Sequence, residues 1–323
     1  MRASATAATS IALCALLSAC LGTGEDRVLG IEATGTVEGV VFFDVNGDGE
    51  LTTGDTLYSG VRVGIASLGS MVPIFSATSD TDGAFRMERV DVASYEVVVD
   101  SQTVGDTLDA VVTDPDAFTL APLDTANILV GIAFPSFTVE EARALPEGEK
   151  VFVEGVALNG RATFGDNSVH LAGISAAIRV TQVKPSVILA GDTMRVLGTT
   201  ATLDGQPTID DATPFFIDEV DERSPESVTA ALATTADGGR LDAALVELVD
   251  VTVSDTATVT EGFRLSVDDA SGAAVVLLDK DAPIDTPTQY EPGVTIDVVG
   301  LLVPDGAGGW LVKPRSDTDL TIK

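Results

Sequence analysis

With 323 residues, 45% of them hydrophobic, the chain is too apolar to be a disordered polymer and long enough for two or three domains. Lys plus Arg number 18 against 50 Asp plus Glu, a net charge of −32. Such a surface repels nucleic acid and anionic lipid, and the even scatter of the acids along the chain is the pattern of a strongly solvated exterior.

The first twenty residues, MRASATAATSIALCALLSAC, carry one basic side chain (Arg2) and an apolar run. That run is shorter than the roughly 20 apolar residues a membrane-spanning helix needs. It closes on Leu17-Ser18-Ala19-Cys20, which resembles the lipobox of bacterial lipoproteins. The resemblance implies a removed signal peptide over residues 1–19 and acylation of Cys20. It further implies an exported chain anchored through lipid to the cell envelope, at the outer membrane. Cys14 falls in the removed part, so no disulfide is expected, and the exported fold must rest on a large core or on metal ions. Residues 20–35 show no period and read as a tether.

From Thr36 strands follow in quick succession: TVEGVVFFD, GVRVGIAS, GAFRMERV, SYEVVVD, DAVVTD and ANILVGIAF. They alternate apolar with polar residues or run Val-rich, and Gly, Asp and Asn separate them, which predicts a β-sandwich over residues 36–135. Gly39-Val40-Val41-Phe42 ahead of an Asp-rich loop, Thr81-Asp82-Gly83-Ala84-Phe85, and Ser94-Tyr95 before EVVVD together resemble two related families. These are the prealbumin-like B domains of cell-wall adhesins and the carboxypeptidase regulatory domains.

The loop after the first strand, DVNGDGELTTGD, places Asp44, Asn46, Asp48 and Asp55 at positions 1, 3, 5 and 12 of a twelve-residue calcium loop, with Gly49 at the turn. Glu50 would offer its backbone carbonyl and Thr52 its side chain, directly or through water. Oxygen donors at this spacing suit a hard cation, so a structural Ca²⁺ is expected at Asp44, Asn46, Asp48, Glu50, Thr52 and Asp55. The competing reading is an Asn/Gly-rich turn with acidic side chains.

At Ser136 the pattern changes. SFTVEEARALPEGEK has Ser136 and Thr138 as caps, Glu140 and Glu141 in the first turn, Ala142 and Leu145 on one face, and a Pro-Glu-Gly stop. Strands KVFVEGVAL, NSVHLAG, AAIRVTQV and GDTMRVLGTTATLDGQPTI come next. The scheme then recurs, with PESVTAALATTADGG for the helix and ALVELVDVTVSD for the first strand. Gly191 and Gly293, like Gly198 and Gly300, stand 102 residues apart. Five short strands with a Gly-bearing fourth, twice over, resemble the OB-fold modules of exported bacterial proteins, some of which stand beside nuclease or phosphatase domains. The first copy departs from that pattern at His170, where an aromatic is usual, and at AGISAA. The second keeps the usual turn as Asp269-Ala270-Ser271-Gly272. The whole is expected to be all-β: a prealbumin-like sandwich followed by two tandem OB-like Greek-key barrels, over residues 136–218 and 219–323, each with one short helix.

Catalytic residues are not predicted. His170 is the single histidine and alternates with Val169 and Leu171, so it reads as a surface or rim residue; no Gly-x-Ser-x-Gly is present. From Ser136 onward 13 basic side chains face 31 acidic ones, which makes nucleic acid an unlikely partner even for OB-like modules. A protein or glycan ligand is easier to reconcile with the composition. The function expected is a lipid-anchored, non-enzymatic envelope protein for adhesion, scaffolding or ligand binding. The alternative is an accessory subunit that binds oligosaccharide or nucleic acid for an exported nuclease or phosphatase.

Overall fold

The computed structural model describes residues 33–284 and 289–323; residues 1–19, expected as a signal peptide, Cys20 and most of the expected tether over residues 20–35 lie outside the described residues. Its first part contains nine strands. They are β1 (Thr34–Phe43), β2 (Thr56–Leu57), β3 (Arg62–Ser67), β4 (Phe75–Thr78), β5 (Ala84–Asp91), β6 (Ser94–Val99), β7 (Asp109–Asp114), β8 (Ala117–Thr119) and β9 (Thr125–Ala133). One sheet runs β2-β1-β9-β7 with β5 also on β1, and the other runs β4-β3-β6-β8. Their inner faces meet around Val37, Val41, Ile65, Phe85, Ile128 and Val130, all buried. Alternation decides the facing: β1 sends Val37 and Val41 inward, while Glu38 on its other face pairs with Arg86 of β5 at 2.5 Å. The six strands read from the sequence are β1, β3, β5, β6, β7 and β9. The short strands β2, β4 and β8 carry too few residues to show a period.

The second part comprises β10 (Ser136–Thr138), α1 (Val139–Ala142), β11 (Lys150–Ala157), β12 (Val169–Ala172), β13 (Ala177–Val180), β14 (Asp192–Leu203) and β15 (Gln206–Glu219). The sheet order is β10-β11-β12-β13-β15-β14, and β14 returns to pair with β11, which closes a five-stranded barrel. The third part repeats it with β16 (Glu226–Ser227), α2 (Ala230–Thr235), β17 (Leu245–Val259), β18 (Gly262–Asp269), β19 (Gly272–Asp279), β20 (Thr295–Pro304), β21 (Trp310–Lys313) and β22 (Leu320–Ile322). The order β16-β17-β18-β19-β21-β20-β22 closes through β17 and β20. Both are OB-like barrels of one topology, and closure leaves their central strands without free edges.

The repeat extends to detail. Gly198 and Gly300 occupy equivalent sites on β14 and β20, and a Cβ on either would collide with the neighbouring strand, at 2.4 Å from Ile209 and 2.7 Å from Val312. Both helices start on a threonine. Thr138 and Glu141 form a reciprocal capping box, and Thr229 caps α2 through Leu232. Each helix is also tied to the β-hairpin beside it by a carboxylate, but in opposite directions. In the third part Asp269 on the hairpin accepts from the Ala230 backbone at 3.0 Å, besides Ser271 and Gly272 of its own turn. In the second part the hairpin lacks that Asp, and Glu140 of α1 reaches across to accept from the backbone N–H groups of Ser175 and Ala176 at 2.6 and 3.1 Å. The AGISAA departure is thus made good from the helix side.

Two seams join the three parts. Between the barrels an apolar cluster packs Leu158, Phe164 and Ala177 against Ala243, Leu245, Ala282 and Leu301. Beside it Asp242, 2% exposed, takes hydrogen bonds from Arg143 at 3.3 Å and from the Gln206 amide. Arg143 also donates to the carbonyls of Ala177 (2.6 Å) and Gly239 (3.3 Å), so one guanidinium spans both barrels. Arg315 of the second barrel donates to the Leu158 carbonyl of the first at 2.8 Å. At the sandwich end, Phe134 stacks edge-on to Phe43 at 5.8 Å and carries the Lys150 ammonium 5.0 Å from its ring centroid.

Burial pushes the Asp242 carboxyl up, and the Gln206 and Arg143 donors pull it back without offsetting that fully. A carboxyl raised in the folded state contributes its stability below the ordinary carboxylate range and loses it as pH rises through the folded value. Arg143→Ala would leave that buried charge unpaired at neutral pH. We predict a loss of about 3–5 kcal/mol near neutrality, shrinking as pH falls and Asp242 takes up its proton. Urea unfolding of wild type and variant at several pH values measures both.

Candidate functional site

The segment after β1 folds onto its own acids. Asp44, fully buried, accepts from the backbone N–H of Gly47 (2.7 Å) and Asp48 (3.3 Å) on Oδ1 and of Gly49 (2.8 Å) on Oδ2. Asp55 closes the loop, accepting from Val45 N–H at 3.0 Å and from the Thr52 backbone and hydroxyl at 2.7 and 3.0 Å. Between them Asn46 donates to Asp48 at 2.6 Å, and Asp48 accepts from the Glu50 N–H at 2.8 Å. Asp44 and Asp55, positions 1 and 12 of the expected calcium loop, therefore organise the turn, and Asp48 and Asn46 line its outer rim. Among the described residues no three or more His, Cys, Asp or Glu side chains gather as a metal cluster would. The donor chemistry, all oxygen and half of it carboxylate, fits a hard cation.

The loop tip is not free. Gly47 has a φ of +70°, and a Cβ there would lie 3.2 Å from both Phe152 and the Arg195 side chain on the first barrel. The Arg195 guanidinium donates to the Gly47 carbonyl and, at 3.2 Å, to Glu154. Only glycine suits both the left-handed backbone and the close approach. The loop is the sandwich's docking point on the barrel as well as its candidate ion site.

His170 is not a surface or rim residue. It is 2% exposed, because the outward face of β12, which alternation assigns to solvent, is covered by the second barrel. Asn159 holds it: the amide Nδ2 donates to the carbonyls of Gly160 (3.0 Å) and Ser168 (3.1 Å), which turns Oδ1 toward the histidine backbone N–H (2.8 Å) and ring Nδ1 (3.0 Å). Oδ1 has no hydrogen to give, so Nδ1 carries the ring proton and Nε2 presents a bare lone pair. Nε2 has no partner. Burial, then the Arg179 charge, hold the imidazole down to about 3 against the pull of Asp166, with Lys313 adding to the depression, so the ring is neutral at ordinary pH. Nearby, burial pushes the Asp166 carboxyl up, but the Ser168 hydroxyl and N–H and the charges of Lys313 and Arg179 outweigh it and hold the group below its usual range. Sequence reading missed this histidine–asparagine pair. No local signal marks it, since the partners are eleven residues apart and the cover comes from another module.

No family model matches the sequence, and no curated protein matches it. Among solved structures, a murine DNA-binding protein bound with double-stranded DNA is similar to it at 11% identity and a TM-score of 0.30, covering 53% of this chain and 97% of that one. The Ifi202 HINa domain in complex with a 20-base-pair double-stranded DNA aligns at 16% identity and 0.28, over 55% and 97%. A Streptococcal ancillary pilin aligns at 12% and 0.23, over 58% of this chain and 59% of that one. Likeness at this level carries no weight for function. It lends no support to the expectation that nucleic acid is not a ligand.

Removing the Asp44 carboxylate strips acceptors from three backbone N–H groups beside the sandwich core. Asp44→Ala should cost at least about 2 kcal/mol, since bonds to a charged acceptor are worth about 1.5–3 kcal/mol each and are not additive. Asp44→Asn should cost clearly less, because it keeps one acceptor oxygen. Chemical denaturation of the full chain in calcium-free buffer ranks the two.

Proposed function

We propose that this chain is a lipid-anchored, non-enzymatic protein of the bacterial cell envelope that acts as an adhesion, scaffold or ligand-binding module. The observation that carries the reading is the series of three β modules locked end to end by packed seams, an arrangement suited to holding binding surfaces away from an anchor. The sandwich fits a prealbumin-like module of the adhesin kind. The anchor rests on Leu17-Ser18-Ala19-Cys20, outside the described residues. Nucleic acid remains the less favoured ligand on charge. In addition, the β12–β13 face and the loops at its end, where OB-folds carry oligonucleotides and oligosaccharides, are packed on the second barrel. Cys20→Ser should move the protein from the membrane to the soluble fraction on cell fractionation. Wild type recovered in the soluble fraction without detergent would overturn the anchor.

We also propose a structural Ca²⁺ at Asp44, Asn46, Asp48, Glu50, Thr52 and Asp55. The order of oxygen donors and the wrapping of the loop on Asp44 and Asp55 support this reading. Bound there, the ion would neutralise the loop acids. The second reading, a self-capped acidic turn, is favoured by the hydrogen bonds those two carboxylates already accept. Ligand binding to the folded state alone stabilises by about 2.7 kcal/mol at a hundredfold excess over Kd. Extracellular calcium modules bind at about 10⁻⁴ to 10⁻³ M, so a modest gain is expected. EGTA should lower the first calorimetric transition of the full chain, and Asp44→Ala should abolish the difference between calcium and EGTA. Because Arg195 and Phe152 meet the loop tip, the effect should extend to the first barrel. Identical melting of wild type in both buffers would leave the acidic turn.

A further inference from the structure

The end of the sandwich at which the chain enters is apolar. Thr34 pairs with Asp91 in the β1–β5 ladder, and the Leu123 N–H donates to the Thr34 carbonyl at 2.9 Å. In the other sheet Ser67 pairs with Tyr95, and Ser94 with Thr119. These registers gather three connections at the entry end: the β3–β4 loop, the β5–β6 turn and the β8–β9 loop. The candidate calcium loop and the exit to the first barrel follow the opposite ends of β1 and β9, about 30 Å away for strands of this length. Large apolar side chains face solvent in all three connections. Leu68, Met71, Val72 and Ile74 are 60, 77, 72 and 57% exposed in the first, Val92 is 37% exposed in the second and Leu123 94% in the third.

The β3–β4 loop holds its apolar side chains out. The Ser70 N–H donates to the Ser67 carbonyl at 2.9 Å, the Ile74 N–H to the Ile65 carbonyl at 2.8 Å, and the Gly69 N–H to Glu96 at 2.9 Å. A Cβ on Gly64 would stand 2.6 Å from Pro73, so Pro73 lies directly on β3. With the backbone fixed in this way, the four exposed side chains have no core to fold into. The seventeen residues Val63 to Ser79 carry no charge, where the chain average of 21% would supply three or four charged residues.

An exposed apolar patch of this kind marks a contact with protein or membrane. Two features select the membrane. Residues 68–74 are aliphatic or small and include no Trp, Tyr or Arg, the side chains that dominate protein hot spots. The position is the second feature. The twelve residues between Cys20 and Ala33 can span at most about 45 Å, and a pull through them presents this end of the sandwich to a surface first. A body of net charge −32 gains nothing from charge at a lipid surface. A charge-free tip can enter lipid without taking an ion out of water.

We propose that Leu68, Met71, Val72 and Ile74, with Val92 and Leu123 beside them, form a tip that inserts into the headgroup and upper acyl region of the bilayer. The sandwich would then stand on the membrane with its barrels held away from it. The proposal rests on the lipid-anchor reading for its setting, but insertion is read at position 71 and acylation at Cys20, so the two fail separately.

The full chain, purified from membranes in detergent, would be returned to phosphatidylcholine vesicles with and without bromine on the acyl chains. Met71→Trp and, in a second variant, Val72→Trp place an indole at exposed positions of the tip. The single native tryptophan, Trp310 in the second barrel, is the internal control. Brominated lipid should quench the added indole twofold or more and leave wild-type emission unchanged. The mass of the Cys20 peptide from the same sample reports acylation. Acylated protein with no quenching at either position would overturn the tip and leave the anchor standing. Quenching of a chain without acyl groups would support the tip and overturn the anchor. Blue-shifted emission without quenching would mean that a second copy of the chain covers the patch, and would overturn the membrane as its occupant.

Discussion

Charge is the constraint on which this structure turns. With 50 acids and 18 basic side chains, modules of one sign have to be held against one another, and self-repulsion opposes every seam. The cations are placed where that opposition is met. Arg195 fastens the first barrel to the carbonyl of Gly47, Lys150 sits on Phe134, Arg143 runs from α1 to Asp242, and Arg315 ties the second barrel to Leu158. Most of these bonds go to carbonyls, rings or buried carboxylates rather than to exposed acids. Partial burial makes them stronger than surface ion pairs, which are worth about 0–1 kcal/mol. They are also screened less by salt.

The two barrels show how one topology tolerates different sequences. Closure depends on a few backbone approaches, such as those at Gly198 and Gly300 where no side chain fits. The tie between helix and hairpin depends only on a carboxylate being present on one side or the other. Asp269 supplies it from the hairpin and Glu140 from the helix. In both, backbone donors that would otherwise face solvent or the barrel end are satisfied. The copies diverge on their outward faces, where the first barrel receives the second. That contact converts an ordinary strand face into the lining of a cavity and gives His170 its buried, neutral ring.

The loop after β1 links the chemistry of one module to the position of the next. Its acids fold the backbone, its glycine tip meets Phe152 and Arg195, and its exit leads to β2. Whatever stabilises the turn therefore also stabilises the orientation of the sandwich on the barrel. In a chain that holds its parts together with so few cations, that is a long reach for twelve residues.

Alternation and turn chemistry made most strands legible in advance, because a half-buried strand in a sandwich or barrel must show period two to its own core. The helix caps, the duplicated barrel and the acidic loop were legible for the same reason: each is written in residues a few positions apart. The brief strands β2, β4 and β8 were not, being too short for a period. Neither was the environment of His170. Val169 and Leu171 correctly marked the barrel interior, but the other face of β12 is assigned to water only if nothing lies against it, and what lies against it comes from more than 100 residues further along. The same holds for Arg143 and Asp242, which look like members of a charged surface until two barrels meet. Local sequence specifies which face of each strand is apolar; only the packing of one module on another decides which polar residues lose their water.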